Sequence, residues 1–195
     1  HLVLRRQRQM CIRDSLHGLL GSLDNWVSVA KNLAYHGFEI ILIDQRNHGK
    51  SFHADQFDYE TMSEDLKNFL DEKKIQKVSL IGHSMGGKTI MNFILNYPSY
   101  ANKVIVVDIL PKAYNNDYEK IFNAFSKMDF NNLKSRKQID EYFSGFFSDY
   151  TFVSFLSKNI NRDRNGKFKI KFNLKSIKSN ILKICLLYTS PSPRD

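Results

Sequence analysis

Ser84 stands in the run Gly82-His83-Ser84-Met85-Gly86, with a glycine two residues away on either side. A serine hydroxyl is a poor nucleophile until a base takes its proton, so the chemistry open to it is acyl transfer, and only where the backbone holds its oxygen out toward that base. The G-x-S-x-G spacing suits this. Gly82 and Gly86 let the chain bend sharply from strand into helix, and the adjoining Gly87 extends the small patch on which that helix approaches a sheet. A helix beginning at Met85 aims its first amides at the serine, where they match the negative oxygen of a tetrahedral intermediate. Three other runs hold residues suited to such a site: His17-Gly18-Leu19-Leu20-Gly21-Ser22, Asp44-Gln45-Arg46-Asn47-His48-Gly49-Lys50-Ser51, and Val106-Val107-Asp108-Ile109-Leu110-Pro111.

The elements needed to position these runs are legible as an alternation. Trp26, Val29, Ala30, Leu33 and Ala34 recur at helical spacing over residues 26–36, and Gly37 is placed to end that helix. Residues 38–44 are a compact β-rich run that reads as a buried strand. Thr61 with Glu64 three residues on predicts a capping box, followed by Met62, Leu66, Phe69 and Leu70 on one face. Residues 77–81 read as a strand, 85–97 as a helix striped by Ile90, Phe93, Ile94 and Tyr97 and stopped by Pro98, and 103–108 as a third buried strand. Strand and helix in alternation predict an α/β fold with a parallel sheet, whose functional groups gather at the carboxyl ends of its strands. Asp108 then shares a sheet edge with Ser84. After Pro111 the chain turns to Lys, Asn and many aromatic residues, which predicts a helical insertion over residues 112–175. That aromatic stripe reads first as packing, with a substrate box as the alternative.

Together these runs resemble the α/β-hydrolase family, over residues 16 to about 180. The R-N-H-G at residues 46–49, the G-H-S-M-G-G-K at 82–88 and the V-D-I-x-P at 107–111 are similar to a branch of small esterases and acyl-thioesterases. The resemblance implies a partial α/β-hydrolase fold with a lid insertion, and Ser84 as nucleophile. It implies an oxyanion hole from the backbone amides of Leu19 and Met85, supported by His17, Gly18, Gly82, His83 and Gly86. Asp108 falls where that branch carries its triad acid, whereas most members carry it one strand later; a strand-end aspartate capping a neighbouring helix is the alternative. The D-x-R-x-x-G-x-S loop from Asp44 resembles one that fixes a turn through hydrogen bonds and a glycine at positive φ, which makes His48 and His53 structural. The implied substrates are small esters or thioesters of short to medium acyl groups, including those carried on coenzyme A, with no cofactor. A carbon–carbon bond hydrolase or a lyase acting on menaquinone precursors shares the same fold and motif. A non-enzymatic binding protein of this fold usually loses the elbow serine.

Composition narrows the classes. With 195 residues, 42% hydrophobic and 25% charged, the chain can build one domain with a core. Its longest relevant apolar run, 38–43, is interrupted by Glu39 and falls well short of the roughly 20 residues of a membrane span. A soluble, cytoplasmic enzyme is expected. Residues 1–15 and 185–195 lack strand or helix period and resemble translated sequencing adapter, with an Arg-rich transit peptide as the alternative for the head. Setting those ends aside, with their five arginines and two aspartates, lowers the net charge from +9 to +6. The remaining lysines are scattered, which argues against a nucleic-acid partner. Cys11 and Cys185 both fall in the ends, so disulfide, thiolate and cysteine–metal chemistry have no support and no metal is expected. The expected division is a head at 1–15, a hydrolase core at 16–111, a lid at 112–175, the start of the returning core at 176–184 and a tail at 185–195.

One part of the chemistry is missing. Family triads run in the order serine, acid, histidine. All six histidines, His1, His17, His36, His48, His53 and His83, precede Ser84. The expectation is therefore a hydrolase whose native product extends at both ends to supply the base and two further strands, with the 195 residues alone close to inactive.

Overall fold

The computed structural model describes residues 2–4, 12–114 and 118–185. Five strands form the central sheet: β1 (Leu2–Leu4), β2 (Ile12–Leu16), β3 (Glu39–Ile43), β4 (Val78–His83) and β5 (Ala101–Val107). Their order is β1-β3-β2-β4-β5, with β1 antiparallel to β3 and every other pair parallel. The sequence places strands at 38–44, 77–81 and 103–108, and three of the five lie there. The two in the head correct the expectation that residues 1–15 carry no regular structure. Residues 12–14, Ile-Arg-Asp, show no apolar alternation, yet β2 is hydrogen-bonded on both sides, to β3 and β4. Pairing with two neighbours satisfies its backbone whatever the local pattern of side chains. Residues 1, 5–11, 115–117 and 186–195, the rest of the expected head and most of the tail, lie outside the described residues.

A parallel strand buried on both faces reads as a near-continuous apolar run, as β3 does after Glu39, from Ile40 to Ile43. Ile40 and Leu42 pack on one face with Ala30 of α1 (Val27–Tyr35), beside Trp26 and Leu33. Ile41 packs on the other face with Leu66 and Leu70 of α2 (Tyr59–Glu72) and with Ile90 and Phe93 of α3 (Met85–Asn96). Each such side chain contributes roughly 1.5 to 3 kcal/mol on burial. The cap of α2 differs from expectation. Asp58, not Thr61, closes its first turn, and the Asp58 carboxylate accepts both the Thr61 amide (2.9 Å) and the Thr61 hydroxyl (2.8 Å). A carboxylate satisfies two donors and complements the helix N-terminus, so the helix begins three residues earlier and buries Tyr59.

Beyond β5 come α4 (Glu119–Lys127), α5 (Arg136–Ser144), α6 (Tyr150–Ser157), the antiparallel pair β6 (Ile160–Arg162) and β7 (Phe168–Ile170), and α7 (Leu174–Cys185). The hairpin inside the helical insertion is a departure from expectation. Its signal, Asn165-Gly166, lies between two β-competent runs, and Gly166 takes φ 78° at the turn. Phe122, Phe125 and Phe143 are buried with Phe168 and Phe172 in a core that also takes in Leu20 and Met85. The aromatic stripe is thus mainly packing, and its core reaches the candidate site. Residues 174–185 form one helix packed on this insertion: the Tyr59 hydroxyl donates to Ile184 O (2.7 Å) and the Tyr114 amide to Cys185 O (2.8 Å). Cys185 therefore ends α7, contrary to its placement in a structureless tail. No helix among the described residues is long and apolar enough to cross a membrane.

Candidate active site

Ser84 sits between β4 and α3 with φ 50° and ψ −117°, a left-handed conformation costly for a residue with a Cβ. Three glycines make the bend possible. A Cβ on Gly82 would lie 2.5 Å from Gly86 O, one on Gly86 would lie 2.5 Å from Leu16 O, and one on Gly87 would lie 2.7 Å from the Ile109 side chain. Such separations are below any real contact; at Gly82 and Gly86 the obstacle is backbone, so α3 approaches the ends of β2 and β4 only with glycine there, while Gly87 gives room to side chains at the end of β5. The Ser84 amide donates to Val107 O (3.0 Å), which ties the bend to the end of β5 and sets Asp108, the next residue, on the same rim. Met85 is the first residue of α3.

The loop after β2 meets the serine directly, since a Cβ on Gly18 would lie 3.3 Å from Ser84 Cβ. Two buried histidines hold this loop by a reciprocal exchange. The Gln45 amide donates to His17 Nε2 (3.0 Å), and the Leu20 amide donates to His48 Nε2 (3.1 Å). An Nε2 that accepts leaves the proton on Nδ1, so His17 Nδ1–H donates to Gly18 O (2.9 Å) and His48 Nδ1–H to Arg46 O (3.0 Å). The rings lie 5.1 Å apart. Burial lowers the pKa of both; for His48, burial first and the neighbouring His17 second bring it to about 3, so both rings stay neutral acceptors. The second loop is braced in turn. Asp44 accepts from the amides of Leu23 (2.8 Å) and Lys50 (2.9 Å), and a Cβ on Gly49, at φ 58°, would collide with that carboxylate. Arg46 grips Asp65 of α2 with two hydrogen bonds, of 2.6 and 2.8 Å. The glycine at positive φ and the hydrogen-bonded turn are as the loop's sequence implied.

Over Ser84 lies a cleft of about 380 Å³. Leu19, His83 and Ser84 lie at its base, and Trp26, Ile121, Phe152 and Phe155 are among its walls. Tyr118, Phe152 and Phe155 are the members of the aromatic stripe that line this cleft, so the stripe divides between core and cleft. Asp108 takes φ 55° just past β5, and its carboxylate, with the side chain 86% exposed, lies 3.6 Å from His83 Nε2. Among the described residues no group of three or more His, Cys, Asp or Glu is placed to hold a metal ion.

A sequence family described as the alpha/beta hydrolase fold matches residues 15–166. The chain belongs to the α/β-hydrolase family. Among its relatives is the sn-1-specific diacylglycerol lipase ABHD11 of Danio rerio, 34% identical over 173 residues that cover 85% of this chain and 54% of that protein. Another is the esterase YbfF of Escherichia coli, 33% identical over 145 residues, covering 74% of this chain and 57% of that one. A solved marine microorganism esterase superposes with a TM-score of 0.91 at 38% identity, over 98% of this chain and 76% of its own. The α/β-hydrolase chain thus spans little more than half the length of these curated relatives.

Every residue singled out in this α/β-hydrolase lies within one neighbourhood: Ser84 and Met85 at the elbow, Gly18 and Leu19 across from them, His83 and Asp108 at the rim, and His17 beneath. The sequence missed the exchange between His17 and His48. Its only signal was that each histidine lies a few residues past a predicted or required strand end, which says nothing of mutual contact.

Proposed function

We propose that the whole protein cleaves carboxylic esters or acyl thioesters through an acyl-enzyme on Ser84. The observation that carries this reading is the strained, glycine-bounded bend that presents Ser84 at the base of an apolar-walled cleft, beside the loop of Gly18 and Leu19. In the reaction Ser84 Oγ attacks the acyl carbonyl and gives its proton to a histidine. The amides of Leu19 and Met85 stabilise the resulting oxyanion, a contribution of about 3 to 4 kcal/mol for such a donor. The histidine then protonates the leaving alcohol or thiol, and water releases the acid by the reverse sequence. Asp108, exposed on the rim, orients that histidine.

The base is assigned to a histidine outside these 195 residues, because His17 and His48 already spend both ring nitrogens on loop bonds and all six histidines precede Ser84. The names of the relatives, an esterase and a lipase among them, support ester substrates. Walls of Trp26, Ile121, Phe152 and Phe155 suit short to medium acyl groups, with residues 112–175 as the lid, and we assign the enzyme to the cytoplasm. In the whole protein a fluorophosphonate probe is expected to label Ser84 and to lose that label in Ser84→Ala, together with p-nitrophenyl ester turnover. Labelling that survives Ser84→Ala would overturn the assignment. The 195-residue chain alone is expected to keep only the residual acceleration of an incomplete triad, about 10³- to 10⁴-fold over water.

A further inference from the structure

We propose that His17 and His48 are positioning residues that together fix both peptide planes flanking Leu19, and so aim the Leu19 amide. The inference rests on the reading of Ser84 and Leu19 above. The Gly18 carbonyl and the Leu19 N–H belong to one planar trans peptide, so the two point in opposite directions. Gly18 O accepts from His17 Nδ1–H (2.9 Å) and from the Gly21 amide (3.0 Å), both on the side away from the N–H. The plane that follows is held through its own N–H, since the Leu20 amide donates to His48 Nε2 (3.1 Å). Leu20 is kept in the left-handed region at φ 57°, a geometry that a loop without such bonds would relax. Gly18 lies against Ser84, so a swing of either plane moves the Leu19 N–H relative to the attacking oxygen.

The two rings also hold each other in role. His17 belongs to the loop after β2 and accepts from Gln45 in the loop after β3; His48 belongs to the loop after β3 and accepts from Leu20 in the loop after β2. The Gln45 side chain adds a bond to His17 O (2.7 Å) and itself accepts from Thr89 of α3 (2.8 Å), so the exchange is registered on the helix that starts at the nucleophile. A purely structural histidine needs one satisfied pair of ring nitrogens. Here both rings reach the two planes on either side of a single residue, and that residue is the one beside Ser84.

The test uses the whole enzyme. His48→Gln keeps a side-chain acceptor for the Leu20 amide, whereas His48→Leu removes it at similar bulk. His48→Leu is expected to lower kcat about 100-fold with KM nearly unchanged, as removal of an oxyanion donor does, and His48→Gln to recover most of that loss. Wild-type kcat in His48→Leu, or a rise in KM alone, would overturn the proposal. Should His48→Leu fail to fold, ¹⁵N spectra of the histidine rings in the unmodified enzyme decide: Nδ1 protonated and Nε2 bare in both His17 and His48 is required, and the opposite tautomer in either overturns it. Absence of any turnover that depends on Ser84 would instead sink the esterase reading, and the ring spectra would still judge the exchange.

Discussion

A histidine buried neutral titrates differently once the chain unfolds, and His17 and His48 make this measurable. Burial lowers both pKa values, that of His48 to about 3, against 6.5 in a solvated chain. Below 6.5 the unfolded state therefore binds more protons than the folded one. Their contribution is fully present above 6.5 and is lost as the pH falls below it, for His48 toward about 3. Lowering the pH from about 7.5 to about 5.5 is expected to cost roughly 1.4 kcal/mol of unfolding free energy through His48, with a further loss of the same sign through His17, measured by urea titration. The double variant His17→Gln, His48→Gln should lack that part of the slope; an equal slope in both proteins would count against neutral burial. At this scale the sequence disclosed the bend at Ser84, because G-x-S-x-G is a local demand of one turn. The histidines were readable as structural only, because their partners lie 28 residues away and ring tautomers follow from those partners.

Elements depend on contacts at their ends. The N-terminus of α3 comes so close to β2 that a Cβ on Gly86 would meet Leu16 O at 2.5 Å, with Leu16 C and His17 O also inside 3 Å. Gly86→Ala forces backbone apart and is expected to destabilise by about 1 to 3 kcal/mol, lowering the thermal midpoint by several degrees. A midpoint equal to wild type would show that α3 can tilt away freely. Strand β3 and helices α2 and α3 were legible because their apolar residues recur at the period of the element they form. Strand β2 was not, because its stability comes from hydrogen bonds to β3 and β4. The cap of α2 was misplaced by three residues, because a hydroxyl followed by a glutamate imitates a signal that the carboxylate of Asp58 supplies better.

Over the whole molecule, the sheet ends at β5, where Ile105 is 48% and Val107 38% exposed on a strand at the edge of the sheet order. An apolar edge strand is a template for pairing with another chain. The 195-residue chain is expected to self-associate with rising concentration, and Ile105→Lys to suppress this in light scattering; association unchanged by the lysine would place the contact elsewhere. The cleft is also a property of the whole, since Trp26 and Phe155 share it from opposite ends of the chain, and Leu20 and Met85 enter the same core as Phe125 and Phe143. The sequence by itself determined the alternating α/β order, the bend at Ser84 and the shared rim of Ser84 and Asp108, since each follows from short-range periodicity or from the sterics of a few adjacent residues. Only the tertiary structure decided which aromatic residues wall the cleft, where β2 pairs and how His17 and His48 cross between loops, because each of those rests on the distance between residues far apart in the chain.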